Sequence, residues 1–287
     1  KLTELYLDER FKNVKILHVD DNKLTKIEGF APNLQHLYCH YNNITTLENL
    51  DVPNLRILYC KNNNLTTLEG FNAPNLQELY CQDNNLINLK GLNIPNLKIL
   101  ICDNNNLTTF EGINVPNLDM LRCDNNNLTT LKDLNTSKLR DLYCSINHLT
   151  TFKDLDTSNL QELYCTNNNF KTLEDLYAPN LKTLNCCFNL KLKTLEGLYA
   201  PNLMSIYSSR HNLTPLEGLN APNLVTLYCN NNGKLLTEYN YDIIYPKKLD
   251  NDCKTEFKTI ENNADLFIYL NNKLIGNNKL TYFNTDE

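Results

Sequence analysis

The fold is decided by one stretch in the first half of the chain, Asn75-Leu76-Gln77-Glu78-Leu79-Tyr80-Cys81-Gln82-Asp83-Asn84-Asn85-Leu86. With Leu76 as position 1 of a unit, leucine also stands at positions 4 and 11, cysteine at position 6 and asparagine at position 9. Leucines at positions 14 and 17 and a proline at position 20 complete the unit, which begins again at Leu97. The stretch is therefore one copy of a repeating unit.

Position 1 recurs every 21 residues from Leu34 to Leu181. After one 22-residue step it continues at Leu203 and Leu224, and Val14 lies one shortened unit upstream. A fixed period of about twenty residues is the sequence signature of a solenoid, in which each coil packs only on its neighbours. We therefore predict a repeat solenoid instead of one or two globular domains.

The pattern Leu-x-x-Leu-x-Cys-x-x-Asn-x-Leu-x-x-Leu-x-x-Leu-x-x-Pro-x resembles the leucine-rich repeat family in its short form of 21 to 22 residues. The resemblance implies a horseshoe with a curved parallel β-sheet on its concave face. Proline at position 20 disfavours helical geometry in the residue before it. On the convex side we therefore expect turns or short 3₁₀ segments and little regular α-helix.

The chain is predicted to have three parts. Residues 14–235 form the solenoid, with about ten to eleven coils. Residues 1–13 contain Leu2, Leu5 and Leu7 at strand-like spacing and Arg10 where the repeat asparagine would stand, so we expect a partial coil or an N-terminal cap. Residues 236–287 are not repetitive and are expected to form a C-terminal cap or tail, with 265–270 as their best strand or helix. An exposed end of a solenoid needs a polar cover.

Cysteine fills position 6 in nine coils, at Cys39, Cys60, Cys81, Cys102, Cys123, Cys144, Cys165, Cys186 and Cys229. Position 6 lies two residues after an inward leucine, so strand alternation points it into the core. Stacked strands would hold neighbouring sulfurs about 5 Å apart on parallel Cβ vectors, which suits neither a disulfide nor a tetrahedral zinc site. We predict buried, reduced thiols, which favour an intracellular setting over a secreted one.

Asparagine fills position 9, where the chain leaves the strand and its backbone groups lose their strand partners. A buried carboxamide offers two donors and one acceptor that can satisfy these groups. We therefore assign the asparagine row a structural role, and not a binding role.

The composition restricts the classes of partner. A net charge of −6 argues against a nucleic-acid backbone or an anionic membrane as the main partner. No apolar run approaches the roughly 20 residues that span a bilayer. The first residue is Lys1, so a signal peptide is neither seen nor excluded.

The sequence offers no catalytic motif and no cofactor motif. It lacks a phosphate-binding glycine loop, Gly-x-Ser-x-Gly, His-Glu-x-x-His and a Cys-x-x-Cys pair. His36 and His40 are candidate metal ligands beside His18, Asp20 and Asp21, but their spacing along one strand separates them by about 13 Å. We therefore predict that the chain is not an enzyme and has no cofactor and no metal site.

The informative surface is position 5, which should face solvent on the sheet. Its side chains are His18, Tyr38, Tyr59, Tyr80, Ile101, Arg122, Tyr143, Tyr164, Asn185, Tyr207 and Tyr228. A row of tyrosines can stabilise the sheet by itself, and tyrosine and arginine also anchor protein interfaces. Both interpretations stay open, because they are compatible.

The row of tyrosines is interrupted at Ile101 and Arg122. Acidic side chains stand beside this interruption, and they suggest a basic polypeptide as the partner. Asp119 stands among them. The predicted partner-binding residues are Tyr38, Tyr59, Tyr80, Ile101, Asp103, Arg122, Asp124, Asp141, Tyr143, Glu162 and Tyr164.

Three functions are compatible with these features. The first is a non-catalytic scaffold inside a cell that binds a protein or peptide through the concave face. The second is a structural virion or assembly component that self-associates, and the third is the substrate-recognition adaptor of a ubiquitin ligase. Similar short repeats occur in bacterial effectors, protists and giant DNA viruses, and the Asn-, Lys-, Ile- and Tyr-rich composition favours the viral or protist group, with a place in cytoplasm or virion.

Overall fold

A computed structural model describes residues 1–209, 219, 221–228, 255–257, 268–270 and 273–274. The chain forms two compact units. Unit 1 comprises Lys1–His148 and Asp154–Asp156, and unit 2 comprises Leu149–Lys153 and Thr157–Glu287. Each is described separately below.

Unit 1 is a stack of coils that each contribute one short strand to a parallel sheet. In chain order, its strands are β1 (Glu4–Leu7), β2 (Ile16–His18), β3 (Lys26–Phe30), β4 (His36–Tyr38), β5 (Leu50–Asp51), β6 (Ile57–Tyr59), β7 (Glu78–Tyr80), β8 (Ile99–Ile101), β9 (Met120–Arg122) and β10 (Asp141–Tyr143). Strands β2, β4 and β6 to β10 pair in sequence order to form the main sheet, and β1, β3 and β5 form a smaller parallel sheet. The predicted parallel-sheet solenoid is confirmed.

The strand that each coil contributes to the main sheet covers positions 3 to 5. Neighbouring coils pair in register, so that Leu79 of β7 lies opposite Leu58 and Leu100. Position 4 is buried and positions 3 and 5 are half-buried in these strands. The alternation predicted from the sequence is therefore confirmed.

The cysteines at position 6 that the structure describes are buried, as predicted, and Cys229 lies outside the described residues. Eight of them, from Cys39 to Cys186, have no exposed surface, and none of the cysteines that the structure describes forms a disulfide. The thiol of Cys102 donates to the carbonyl oxygen of Arg122 at 3.3 Å, and that of Cys123 to Tyr143 at 3.4 Å. Burial raises the pKa of the Cys81 thiol to about 12, so these side chains remain neutral.

The asparagine row is confirmed in detail by the coil of Asn105. Its Nδ2 donates to the carbonyl oxygens of Cys81, Cys102 and Asp103, each at 3.1 Å. Its Oδ1 accepts from the backbone N–H of Leu86 at 2.9 Å. One buried carboxamide thus satisfies backbone groups of two successive coils, which is why a stack of such coils closes its turns without helices.

Position 8, just before the asparagine, has a left-handed backbone that the sequence analysis did not predict. Nine residues there have φ between 53° and 59°: Asp21, Tyr41, Asn62, Asp83, Asn104, Asn125, Ile146, Asn167 and Phe188. Asparagine and aspartate tolerate this conformation, whereas a β-branched residue such as Ile146 does so at a cost. The turn at position 8 is therefore imposed by the stack even where the local residue disfavours it.

The second half of each coil consists mainly of turns and extended segments, as expected. The described residues contain one 3₁₀ helix, Glu9–Phe11, and no α-helix. In the described part of the chain, no helix is long and apolar enough to cross a bilayer. The expectation of little regular helix is confirmed.

The N-terminal residues lie in a different register from the predicted one. Strand β1 pairs with β3, and Leu5 lies opposite Ile27, so these residues form the second half of a coil. The backbone N–H of Leu2 donates to Oδ1 of Asn22, the bond that position 11 makes elsewhere. The prediction that Arg10 replaces the repeat asparagine is wrong, since Arg10 lies in the 3₁₀ helix and pairs with Asp8.

Unit 2 repeats the same architecture with strands β11 (Glu162–Tyr164), β12 (Thr183–Asn185), β13 (Ser205–Tyr207) and β14 (Thr226–Tyr228), which pair in parallel. The extra residue of its 22-residue coil is absorbed in the turn after Asn189, where the N–H of Leu192 donates to the carbonyl oxygen of Asn189. Asn189 itself is completely buried.

Strands β15 (Thr255–Phe257), β16 (Ile268–Leu270) and β17 (Lys273–Leu274) pair in an antiparallel sheet. The predicted element at 265–270 is therefore a strand over its last three residues. The rest of the predicted cap or tail at 236–287 lies outside the described residues.

Candidate functional site

The candidate site is the strand face of unit 1, which we define as the side chains at positions 3, 5 and 7 of the main sheet. Its position-5 side chains form a stacked row. The ring of Tyr59 lies 4.9 Å from that of Tyr38 and 4.1 Å from that of Tyr80, and the interplanar angles are 12° and 5°. His18 extends the stack at 4.3 Å from Tyr38. The spacing of parallel strands, about 4.8 Å, matches the ring separations, so each ring packs on the next.

Stacking limits what these tyrosines can offer a partner. Their ring faces are occupied by each other, so ring edges and hydroxyl groups remain for contact. The hydroxyl of Tyr80 donates to Oε2 of Glu78 at 2.9 Å. Burial, followed by hydrogen bonds with Tyr59 and Glu78, raises the pKa of Tyr80. The interpretation of the row as a sheet-stabilising ladder is thus supported by the geometry, and it remains compatible with binding.

The apolar part of the strand face is broader than the sequence analysis predicted. Ile99 lies opposite Met120 at position 3, and Ile101 lies beside Tyr80 at position 5. Together with neighbouring side chains they form the apolar patch, which consists of Ile57, Tyr59, Ile99, Ile101 and Met120, all half-buried. Glu78 of β7 interrupts the patch at position 3, between Ile57 and Ile99. At position 3 the sequence analysis predicts only acidic binding residues, Asp141 and Glu162. Isoleucine and methionine at an outward position of a strand were the available signal.

A charged group borders this patch on β9 and its neighbours. Nε of Arg122 lies 3.2 Å from Oδ2 of Asp103, and its Nη2 lies 3.9 Å from Oδ2 of Asp124. The Arg122 guanidinium also lies 5.3 Å from the ring centre of Tyr143. The two carboxylates accept backbone N–H groups as well, Asp103 from Asp124 at 2.9 Å and Asp124 from Ser145 at 2.6 Å. The structure therefore brings the predicted residues Asp103, Arg122 and Asp124 together.

The other acidic side chains are placed differently. Asp119 lies at position 2, outside the strand face, and forms an ion pair with Arg140. Its inclusion among the rows beside the tyrosines was therefore wrong. Asp141 and Tyr143 lie on β10 of unit 1, whereas Glu162 and Tyr164 lie on β11 of unit 2. Tyr164 is opposite Asn185 in the sheet of unit 2.

Asp103 has a perturbed acidity. Burial, followed by the charge of Asp124, raises the pKa of its carboxyl to about 6, although Arg122 acts in the opposite direction. Burial also raises the pKa of Asp124. A cation that approached this pair would stabilise the ionised carboxylates and lower both pKa values.

The raised pKa of Asp103 predicts a pH-dependent cost. The folded chain keeps the Asp103 proton between about pH 4 and pH 6, where the unfolded chain has lost it, so folding stability from this group falls as pH rises through this range. On going from pH 4 to pH 7.5, the free energy of unfolding of Asp103→Asn should therefore rise by about 1 to 2 kcal/mol relative to that of the wild type. This value allows for the partial exposure of the side chain. Denaturation in guanidinium chloride at both pH values measures this difference. A difference between the two proteins that does not change with pH would contradict the assignment.

Three candidate metal ligands converge at the N-terminal end of the strand face. One ligand atom each of Asp20, Asp21 and His40 lies within 4.8 Å of the others. Nε2 of His40 is 3.8 Å from Oδ2 of Asp20, and Nδ1 of His18 is 3.5 Å from Oδ1 of Asp20. The sequence analysis compared His36 with His40 along one strand and missed this grouping across two coils. The expectation that the chain holds no metal stays a prediction.

A model of a known protein family matches parts of the chain. The family model described as Leucine Rich repeats (2 copies) matches residues 32–73, 74–115 and 158–200. No curated protein sequence matches the chain.

Several solved structures share the fold. YopM from Yersinia enterocolitica WA-314 is similar with a TM-score of 0.63 and 27% identity over 78% of this chain and 52% of that chain. The APL1 leucine-rich repeat domain has a TM-score of 0.56 and 21% identity over 77% of this chain and 76% of that chain. The PEPR1–AtPEP1 structure has a TM-score of 0.53 and 20% identity, with 79% of this chain and 44% of that chain covered. The chain thus spans about half the length of YopM.

Proposed function

Because the chain belongs to the leucine-rich repeat family, we propose that it is a non-catalytic scaffold that binds a polypeptide through the strand face of unit 1. Proteins of this family are typically interaction scaffolds. The observation that carries the proposal is the apolar patch on β6 to β9, with the ion group of Arg122 at its border. Apolar and aromatic side chains surrounded by polar ones are the usual anatomy of a protein interface.

The chemistry of the patch indicates the kind of segment it would bind. Ile99 and Met120 offer flat apolar surface, and the stacked tyrosines beside them offer ring edges and hydroxyl groups. An apolar or aromatic anchor on the partner would bury this surface. A basic side chain next to the anchor would reach Asp103 and Asp124, whose two carboxylates exceed the single guanidinium of Arg122.

A basic partner implies pH-dependent binding. A cation beside Asp103 lowers the carboxyl pKa below its value of about 6 in the free chain, so binding releases a proton. Binding is therefore expected to tighten as pH rises from 5 to 7, and Asp103→Asn should remove most of this dependence. The affinity for an apolar partner that lacks the basic side chain should not increase with pH in this way.

The proposal is tested by a matched pair of substitutions. Ile99→Asp places a charge in the apolar patch, and Ile87→Asp places the same charge at position 12, where Ile87 is 54% exposed outside the strand face. Partners captured by the wild-type chain in affinity purification with mass spectrometry are expressed and titrated against both variants. We expect Ile99→Asp to weaken binding by at least about tenfold and Ile87→Asp to leave it within about threefold.

A second pair addresses the charged border and the tyrosines. A charge reversal at Asp103 and Asp124 and the variant Tyr143→Ala are compared in the same titrations. If partners bind to all of these variants and to Ile99→Asp as they bind to the wild type, the strand face is not the binding surface. Circular dichroism of each variant establishes that it is folded.

A further inference from the structure

A groove with a volume of about 750 Å³ runs along one flank of unit 1, separate from the strand face. Its walls are the side chains at position 2 of successive coils and the asparagines that precede each position 1. The position-2 side chains include Gln35, Arg56, Gln77, Lys98 and Asp119. Every lining residue belongs to unit 1, so the groove is a property of that unit alone.

The groove is basic although the chain as a whole has a net charge of −6. Three cations, Arg56, Lys98 and Lys138, line it against one carboxylate, that of Asp119. Asp119 is already paired with Arg140. Within the part of the chain that the structure describes, Arg56 and Lys98 make no ion pair, and both are exposed.

The amides of the groove are held in fixed positions. Nδ2 of Asn54 donates to the carbonyl oxygen of Pro32 at 2.7 Å, and Nδ2 of Asn75 donates to that of Pro53 at 2.9 Å. Asn33 and Asn96 make equivalent bonds to the preceding coil. These bonds use the amide nitrogen, so each carboxamide keeps acceptor capacity on its oxygen. A ligand that brings hydrogen-bond donors together with negative charge therefore complements this wall.

We propose that this groove binds an acidic polypeptide segment in the polyproline II conformation, which is extended and runs across the coils. The backbone N–H groups of such a segment supply donors for the asparagine oxygens, and a DNA or polyphosphate backbone has no equivalent. Arg56 and Lys98 lie two coils apart, about 10 Å at the spacing of parallel strands. Three residues of a polyproline II segment span about 9 Å and bring the side chain back to the same face, so carboxylates at every third position match the two cations.

The probe is a fluorescein-labelled peptide of about fifteen residues, with glutamate at every third position and serine or glycine between them, followed by fluorescence anisotropy at low salt. We expect saturable binding that weakens with added salt and is absent for the same peptide with glutamine. Arg56→Glu with Lys98→Glu should weaken binding by at least about tenfold. The milder pair Arg56→Gln with Lys98→Gln should weaken it about threefold, and circular dichroism establishes folding of both.

The matched control is Lys90→Glu with Lys132→Glu, which changes the net charge equally at exposed positions outside the groove. It should leave the affinity within about threefold of the wild type. Equal losses for both double variants, or unchanged binding by Arg56→Glu with Lys98→Glu, would overturn the proposal. Competition by inorganic polyphosphate that equals competition by the unlabelled peptide would reject a polypeptide as the ligand. Ile99→Asp should bind the probe normally, so this test is independent of the strand face.

Discussion

Raising the pH from 9 to about 10.5 should unfold the chain cooperatively. Burial raises the pKa of the Cys39, Cys81 and Cys186 thiols to about 12 from an ordinary value of 9.0. The pKa values of Cys60, Cys102, Cys123, Cys165 and Cys187 are raised for the same reason. Above pH 9 the unfolded chain loses these protons and the folded chain keeps them, so stability falls as pH rises.

The expected effect is large because the thiols act together. A thiol that is neutral in the fold and titrates in the unfolded chain costs about 1.4 kcal/mol at one pH unit above its unfolded pKa. The seven of these thiols that have no exposed surface amount to about 10 kcal/mol at pH 10, which is comparable with the whole stability of a typical domain. Circular dichroism and thiolate absorbance against pH measure the transition, and both signals should change together.

A variant with fewer thiols provides the control. The triple variant Cys81→Ala, Cys102→Ala and Cys123→Ala lacks three of the titrating groups. Because its core is less well packed, it is expected to be less stable than the wild type below pH 8. This variant should show a weaker dependence of stability on pH above pH 9. At pH 8 a thiol reagent should label the folded wild type far more slowly than the unfolded chain. A flat stability curve between pH 8 and pH 10.5 would show that the cysteine row is not the alkaline weak point.

Replacing one asparagine of the buried row should have the next largest effect. Asn105→Leu leaves the N–H of Leu86 buried without an acceptor and removes three donated bonds. An orphaned buried donor costs about 1 to 3 kcal/mol and each lost bond about 0.5 to 1.5 kcal/mol. The carbonyl oxygens of Cys81 and Cys102 retain bonds from Asn84 and Asn126. We therefore expect a loss of about 3 to 5 kcal/mol in the free energy of unfolding.

The adjacent residue is a suitable control because it has the same chemistry and a different environment. Asn106 is exposed, and its backbone N–H donates to Leu86 whatever its side chain is. Asn106→Leu should change stability by no more than about 0.5 kcal/mol. Guanidinium titrations of the two variants at pH 7 make the comparison. Similar losses at both positions would mean that side-chain volume, and not the bonds of the carboxamide, determines the cost.

The repeat geometry was predictable because each inward position recurs with one residue type. Leu79 and Cys81 alternate on a strand, and Asn84 follows at the turn, so burial and bonding follow from local periodicity. The left-handed turn at position 8 was harder to predict, since Ile146 and Phe188 obscure the preference for asparagine and aspartate. The register of residues 1–13 was missed because leucines at this spacing fit either half of a coil. In the structure, the hydrogen bond from the backbone N–H of Leu2 to Oδ1 of Asn22 defines the register.

The candidate site was less predictable than the fold. The ring stacking of Tyr38, Tyr59 and Tyr80 follows from strand spacing, but the pairing of Arg122 with Asp103 depends on side-chain positions in two different coils. Sequence periodicity contains no such information. Asp119 lies one residue from the strand and turns to the flank, so a small error in assigning a position moves a charge to another surface.

The hydrogen bonds of one coil to the next have a consequence for how such a gene can change. Asn84 and Asn105 make equivalent bonds to the preceding coil, so an in-frame duplication or loss of one whole unit recreates every junction that it breaks. Asn189 shows that a single added residue is also accommodated, provided that it falls in the turn. The number of coils is therefore open to rapid variation between related genes, and the reach of the binding surface would vary in steps of one coil.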